Sequence, residues 1–282
     1  MTIKRVGIIG SGIMGSGIAE VAAKAGHEVI LRSRQQSSAD AMVASLTKSL
    51  AKQVDRGKLE AADRDATLAR VTATHDLHAL RDCDLIVESV VEDLAVKKEL
   101  FKELDLLVND EAILATNTST LPVVEMAVVT ERPERVCGVH FFNPAPMMSL
   151  VEIIRPLTAS DETIATVTEF AETCGKKPVE VKDRAGFIVN ALLFPYLNNA
   201  VRMLENQTAT RDHIDEAMKG GCNFPMGPLA LLDLVGLDTS VAILDALYDE
   251  FRDPNYSTAP ALRRMVAAGY LGRKSGKGFY DY

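Results

Sequence analysis

His140 and Glu152 are the residues of this chain whose types and spacing first suggest chemistry. They lie in the stretch VHFFNPAPMMSLVEII (139–154), each inside an apolar run, with eleven residues between them. An imidazole and a carboxylate held in apolar surroundings make a candidate acid–base pair. Burial shifts the imidazole's protonation, and the carboxylate orients and restores it. Alone, such a histidine near a strand end is more often a satisfied structural residue. The rest of the chain decides between the two.

Gly10-x-Gly12-x-x-Gly15 directly follows the apolar run Val6–Ile9 and opens a helical pattern through Ala19, Ala22 and Ala23. Gly10 permits the tight turn, Gly12 lets backbone approach a pyrophosphate, and Gly15 allows close helix–strand packing. Ile13 and Met14 complete the expected dinucleotide-binding turn, where a helix N-terminus faces the phosphates. At the end of the second strand an acid would read a ribose 2′-hydroxyl, whereas small and basic residues suit a 2′-phosphate. The chain carries Arg32-Ser33-Arg34 there, with no acid before Asp40. Two guanidiniums can pair with a phosphate bidentately, so NADP(H) is favoured, with NAD(H) as the alternative. Solvated loop charges are the plainer reading of those arginines.

Asn117 and Ser119, in Ala115-Thr116-Asn117-Thr118-Ser119, end another strand and project at the carboxyl edge where such sheets bind ligands. A cap or turn explains the same residues. Asn190 follows the expected domain boundary, where a polar residue satisfying neighbouring backbone is the plain alternative. Lys48, Lys52 and Arg56 recur every four residues beside Ser45 and Ser49, a stripe suited to a phosphorylated substrate tail or a merely solvated face. The C-terminal Gly272-Arg-Lys-Ser-Gly276-Lys277-Gly278 is one residue short of a phosphate loop and lacks Ser or Thr after the lysine, which excludes an NTPase reading.

The elements that must position these residues alternate. Val6–Ile9, Glu28–Leu31, Leu85–Val91, Ala112–Thr116 and Val136–Phe142 read as strands with helices between them, the pattern of a doubly wound, mostly parallel α/β sheet. Ser160 or Asp161 caps a helix ending near Gly175, and a short strand follows around Val179–Val181. From Phe187 onward only helical periodicity remains: a long helix bending at Pro195, then shorter ones stopped by Gly220-Gly221, Gly236 and Gly269. These patterns predict a dinucleotide-binding domain over 1–184 and an all-α domain over 185–282.

Composition narrows the partners. The 282 residues are 47% hydrophobic and 25% charged, the profile of a globular chain. A net charge of −8 argues against nucleic acid or anionic membrane as partner. No apolar stretch approaches the roughly 20 residues a membrane span needs. The N-terminus reads as a strand and not as a signal peptide. Four scattered cysteines without a CxxC pair predict reduced thiols, a cytoplasmic location and no metal site.

Taken together, GxGxMGxGIA, VVEDLAVKKELF, NTST, HFFNP, DRAGFIVNALL, PMGPLALLDLVGLDT and GRKSGKGFYDY make the whole chain resemble the 3-hydroxyacyl-CoA dehydrogenase family, most closely its compact 3-hydroxybutyryl-CoA dehydrogenase members. The resemblance implies a Rossmann-type domain, a helical C-terminal domain that forms a homodimer, and catalysis in the cleft between the domains. It implies that His140 is the catalytic acid/base with Glu152 as its partner, that Ser119 hydrogen-bonds the reacting oxygen, and that Asn190 reaches the substrate. It implies cofactor contacts at Glu92, Lys97, Asn117, Ser119, Asn143 and Lys274, and CoA contacts at Ser45 and Lys52. Ser33 departs from the acidic residue many members carry. The expected activity is hydride transfer between NADP(H) and a short-chain acyl-CoA such as acetoacetyl-CoA, giving the (S)-alcohol. A carrier-protein thioester as substrate is one alternative, and a non-catalytic cofactor-binding protein is another.

Overall fold

The computed structural model describes residues 2–282. The chain divides into two compact units, the first running to Asp183 and the second from Arg184 to Tyr282.

The first unit is built on one eight-stranded sheet. Its elements run β1 (Arg5–Ile9), α1 (Ile13–Lys24), β2 (Glu28–Arg32), α2 (Gln36–Asp55), α3 (Ala61–Ala69), β3 (Val71–Thr74), β4 (Leu85–Glu88), α4 (Leu94–Leu107), β5 (Ile113–Thr116), α5 (Val123–Ala127), β6 (Val136–Phe141), β7 (Leu150–Arg155), α6 (Asp161–Thr173) and β8 (Lys177–Lys182). The strand order is β3-β2-β1-β4-β5-β6-β7-β8. The first six strands are parallel, β7 turns antiparallel to β6, and β8 runs parallel to β7. The chain winds outward from β1 through β2 to β3, then crosses to β4 on the other side of β1. That reversal is the switch point at which such sheets bind ligands.

This is the expected doubly wound sheet. Two strands extend the sequence reading. β3 is VTAT, too short and too polar to announce itself, and β7 carries Glu152. The fourth strand stops at Glu88 rather than Val91, because Val90 N–H turns back to the Glu88 carboxylate at 2.6 Å. Ser160 caps α6 as anticipated, accepting from Thr163 N–H at 3.1 Å. The core gathers apolar residues of β1, α1, β2 and β4 that are almost wholly removed from water, among them Val6, Ile8, Ile18, Val29 and Leu85.

The second unit is helical: α7 (Val189–Glu205), α8 (Arg211–Cys222), α9 (Pro228–Val235), α10 (Leu237–Phe251) and α11 (Pro260–Ala267). α7 continues as one helix across Pro195. One expectation fails here. Gly220-Gly221 do not stop α8, which runs through both and ends at Asn223 in the left-handed conformation, φ 57°. Each helical glycine costs only about 1 kcal/mol, and Asn tolerates the left-handed cap. Asp233 ties the final segment to α9, its carboxylate accepting Phe279 N–H at 2.9 Å and Tyr280 N–H at 2.8 Å.

Candidate active site

His140 and Glu152 are register partners in the β6–β7 ladder. Directly opposed residues of an antiparallel pair project from the same face, so the backbone itself brings the two side chains together. His140 Nδ1 lies 2.8 Å from Glu152 Oε2, with the histidine 4% exposed and the glutamate 0%. A buried carboxylate on Nδ1 favours the tautomer with its proton there, which leaves Nε2 as the working nitrogen. Ser119 Oγ stands 3.2 Å from that Nε2. The imidazole also packs against the Phe142 ring, with centroids 4.6 Å apart. The ladder is tight beside this pair: a Cβ on Gly138 would fall 2.7 Å from Ile154 Cβ, so only glycine fits opposite that isoleucine.

Ser119 follows β5 in a loop held from several sides. Asn117 Oδ1 accepts Phe141 N–H at 2.8 Å, which ties the loop to β6. Glu92 accepts both Ser119 N–H at 2.9 Å and the Thr118 hydroxyl at 2.5 Å. Lys97, 1% exposed, places its ammonium 3.3 Å from Glu92 and 2.6 Å from the wholly buried Glu88. The two residues expected at the cofactor, Glu92 and Lys97, are placed in the scaffold of the Ser119 loop.

The glycine turn fits a dinucleotide. Gly10 sits at φ +135°, and a Cβ there would lie 2.1 Å from the carbonyl oxygen of Ser89, so no other residue is accommodated. A Cβ on Gly12 would meet nothing within 4 Å, leaving open space before α1. No side chain caps that helix, so its first N–H groups remain available to phosphate oxygens. Ile13 is exposed and Met14 half-buried at the same turn.

At the end of β2, Ser33 is buried and donates its N–H to Thr74 O at 3.0 Å. Arg32 reaches the His75 carbonyl at 3.4 Å, and Arg34 is exposed. No sequence pattern points to His75, which follows β3, because that strand has no apolar signature of its own.

A cavity of about 450 Å³ opens between α1 and α2, lined by Gly12, Ser16, Glu20, Ser45, Ser49 and Pro144 among others. Ser45 thus faces a cavity, while Lys48 and Lys52 are exposed on α2 with Arg56 just past its end. Glu20, which sequence reasoning misses, is 2% exposed and accepts from Ser49 at 2.9 Å and Gln53 at 2.7 Å. Asn143, exposed, sits in the β6–β7 connection. Asn190 and Lys274 belong to the second unit. Asn190 is buried near the start of α7, and Lys274 pairs with Asp238 at 2.6 Å.

Burial pushes the thiols of Cys83 and Cys137 up to about 12, which withholds a nucleophilic thiolate. Among the described residues no cluster of three or more His, Cys, Asp or Glu is arranged to hold a metal, and no helix is long and apolar enough to cross a membrane.

Known proteins resemble this chain over its whole length. A curated 3-hydroxybutyryl-CoA dehydrogenase of Mycobacterium tuberculosis is 49% identical over 282 residues, covering 99% of both chains. The crystal structure of M. tuberculosis FadB2 superposes with a TM-score of 0.98 at 48% identity, covering 100% of both chains. That of (S)-3-hydroxybutyryl-CoA dehydrogenase PaaH1 from Ralstonia eutropha gives 0.97 at 43% identity, covering 100% of this chain and 99% of that one. The model for the NAD binding domain of 3-hydroxyacyl-CoA dehydrogenase matches residues 5–184, and that for its C-terminal domain matches 186–282. Since the two models leave almost no residue unmatched, the chain belongs to the 3-hydroxyacyl-CoA dehydrogenase family.

Proposed function

We propose that this protein is a 3-hydroxybutyryl-CoA dehydrogenase that prefers NADP(H) and interconverts acetoacetyl-CoA and (S)-3-hydroxybutyryl-CoA. The observation that carries the reading is the chain Ser119 Oγ, His140 Nε2, His140 Nδ1, Glu152 Oε2, with links of 3.2 and 2.8 Å. When bound, the nicotinamide supplies or accepts the hydride at C3 of the acyl thioester.

The chain's own residues handle the proton. In reduction, His140 Nε2 gives a proton to the oxygen on C3; in oxidation it takes that proton back. The Ser119 hydroxyl hydrogen-bonds the same oxygen and holds it within reach of the imidazole. Glu152 stabilises the imidazolium and keeps the Nδ1 proton in place, the part a carboxylate plays in other triads. Gly10, Gly12, Ile13, Met14 and Gly15 hold the pyrophosphate, with Glu92, Lys97, Asn117, Asn143 and Lys274 completing the cofactor contacts. Ser45 and Lys52 hold CoA, and Asn190 contacts the substrate.

NADP(H) preference rests on Arg32, Ser33 and Arg34. A buried serine leaves the end of β2 without a carboxylate, and the two arginines supply positive charge for a 2′-phosphate. Exposed Leu192, Phe224 and Leu234 on the second unit support a homodimer built on that unit. A cytoplasmic location accords with the thiols, which carry no disulfide.

The test is oxidation of NADPH and NADH, side by side, with acetoacetyl-CoA and with its carrier-protein thioester. A larger specificity constant with NADPH and CoA is expected. A larger one with NADH ends the NADP reading, and faster turnover of the carrier thioester replaces CoA as substrate. Absence of turnover with well-folded protein leaves a non-catalytic cofactor-binding protein.

A further inference from the structure

Glu88 has no part in the chemistry above, yet its carboxylate is fully engaged at the carboxyl edge of the sheet. It ends β4 with 0% exposure, the one charged residue of the otherwise apolar strand Leu85–Glu88. Its Oε1 accepts Val90 N–H at 2.6 Å and the Lys97 ammonium at 2.6 Å, and its Oε2 accepts the Thr116 hydroxyl at 2.7 Å. An ion pair this deep is a poor source of stability, because desolvating both charges offsets most of their attraction. Such a pair calls for another reason to be there.

Two arms leave Glu88 and both reach the loop that carries Ser119. The shorter passes through Thr116, whose Oγ1 donates to Glu88 and accepts Thr118 N–H at 3.1 Å. The longer passes through Lys97, which bridges Glu88 and Glu92. Glu92 Oε1 in turn receives Ser119 N–H and the Thr118 hydroxyl. At the far end Ser119 Oγ faces His140 Nε2. We propose that Glu88 is a positioning residue for the reaction, fixing the Ser119 hydroxyl against His140 through Thr116 on one side and Lys97–Glu92 on the other. The proposal rests on the assignment of Ser119 and His140 made above.

The charge of Glu88 is what holds both arms. With Glu88 ionised, Lys97 is shared between two carboxylates, and Glu92 keeps one oxygen for the Ser119 amide. Neutralising Glu88 leaves the buried ammonium with Glu92 alone. Glu92 is then drawn toward Lys97 and away from Ser119, while the Thr116 hydroxyl loses its ionised acceptor. Displacements of about 1 Å at a reacting group cost on the order of 10²-fold in rate.

A double-mutant cycle in the full-length enzyme tests this. Turnover of acetoacetyl-CoA at saturating reduced cofactor is measured for the wild type, Glu88→Gln, Ser119→Ala and the pair. Glu88→Gln is expected to lower kcat roughly 10–100-fold in the wild-type background. Once Ser119 is alanine, the same change is expected to cost less than about threefold, because its effect passes through that hydroxyl. An equal loss in both backgrounds is the mark of a merely structural role and overturns the proposal, as does no loss at all. If Ser119→Ala leaves kcat unchanged, the assignment of Ser119 fails first and the proposal falls with it. Should Glu88→Gln not fold, Thr116→Val cuts the shorter arm with little change of shape. In that cycle a loss confined to the Ser119 background supports the proposal, and an equal loss in both, or none, overturns it.

Discussion

His140 and Glu152 occupy the same rung of the antiparallel β6–β7 ladder, so their 2.8 Å contact is set by backbone register and not by a loop. Sliding one strand by a single residue would send one side chain to the opposite face and abolish the pair. The proposed proton transfer therefore depends on the sheet.

His140→Gln keeps a polar side chain on that rung and removes the imidazole. Turnover is expected to fall about 10²–10⁴-fold, with binding of the reduced cofactor largely retained. Steady-state kinetics together with fluorescence titration of the cofactor measure both. Unchanged turnover removes His140 from the mechanism.

Ser33→Asp places a carboxylate at the end of β2, where it accepts from a ribose 2′-hydroxyl and repels a 2′-phosphate. The ratio of kcat/KM for NADPH to that for NADH is expected to fall by roughly tenfold, equivalent to about 1.4 kcal/mol. Because Ser33 is buried beside Thr74, a thermal melt on the same sample separates lost discrimination from lost folding.

Lys48 and Lys52 are exposed along α2, on the helix whose Ser45 and Ser49 line the cavity. Replacing both by glutamine is expected to raise KM for acetoacetyl-CoA about two- to thirtyfold, since each exposed pairing contributes roughly 0.2–1 kcal/mol. The change is expected to vanish with acetoacetyl-pantetheine, which lacks the nucleotide phosphates. An equal effect on both substrates would contradict the CoA assignment.

Burial holds the pKa of His27 below its ordinary 6.5, against the opposing pull of the Ile3 carbonyl and of Asp84. The ring is wedged against Phe170, with Thr173 Oγ1 at 3.5 Å from its second nitrogen. A histidine that binds its proton less readily when folded contributes stability above 6.5, and that stability is lost as the pH falls through 6.5 toward the lowered folded value. The urea midpoint of the wild type is expected to drop across that window, and His27→Gln is expected to flatten the drop. Parallel curves for the two proteins would exonerate His27.

How much of the molecule is legible in its sequence follows from what each residue needs. β1, β2, β4, β5 and β6 are each centred on apolar residues rich in Val, Ile and Leu, and such runs declare themselves. β3, with its threonines at the edge of the sheet, has no apolar signature, and His75 is hidden along with it. The glycine turn is readable because its spacing encodes backbone geometry directly. The contact of His140 with Glu152 is not, because apolar flanks give burial but not register. Glu88 does carry a signal: an acid closing an all-apolar strand must have buried partners. Those partners, Lys97 and Thr116, lie nine and twenty-eight residues away, so the sequence does not name them.

The connection between β6 and β7, residues 142–149, places Pro144, Ala145 and Pro146 on the cavity wall. It is tied down by the Lys176 ammonium, which donates to the carbonyls of Ala145 and Met148 at 2.7 and 2.8 Å. Since the ladder sets the His140–Glu152 spacing, this connection can change in composition at a fixed length without disturbing it. Fit and reactivity are thus divided between a hairpin tip and its stem. On the proposed assignment of CoA to this cavity, a grafted tip is expected to alter KM for an acyl thioester before kcat, which makes it the natural place to diversify the enzyme's diet.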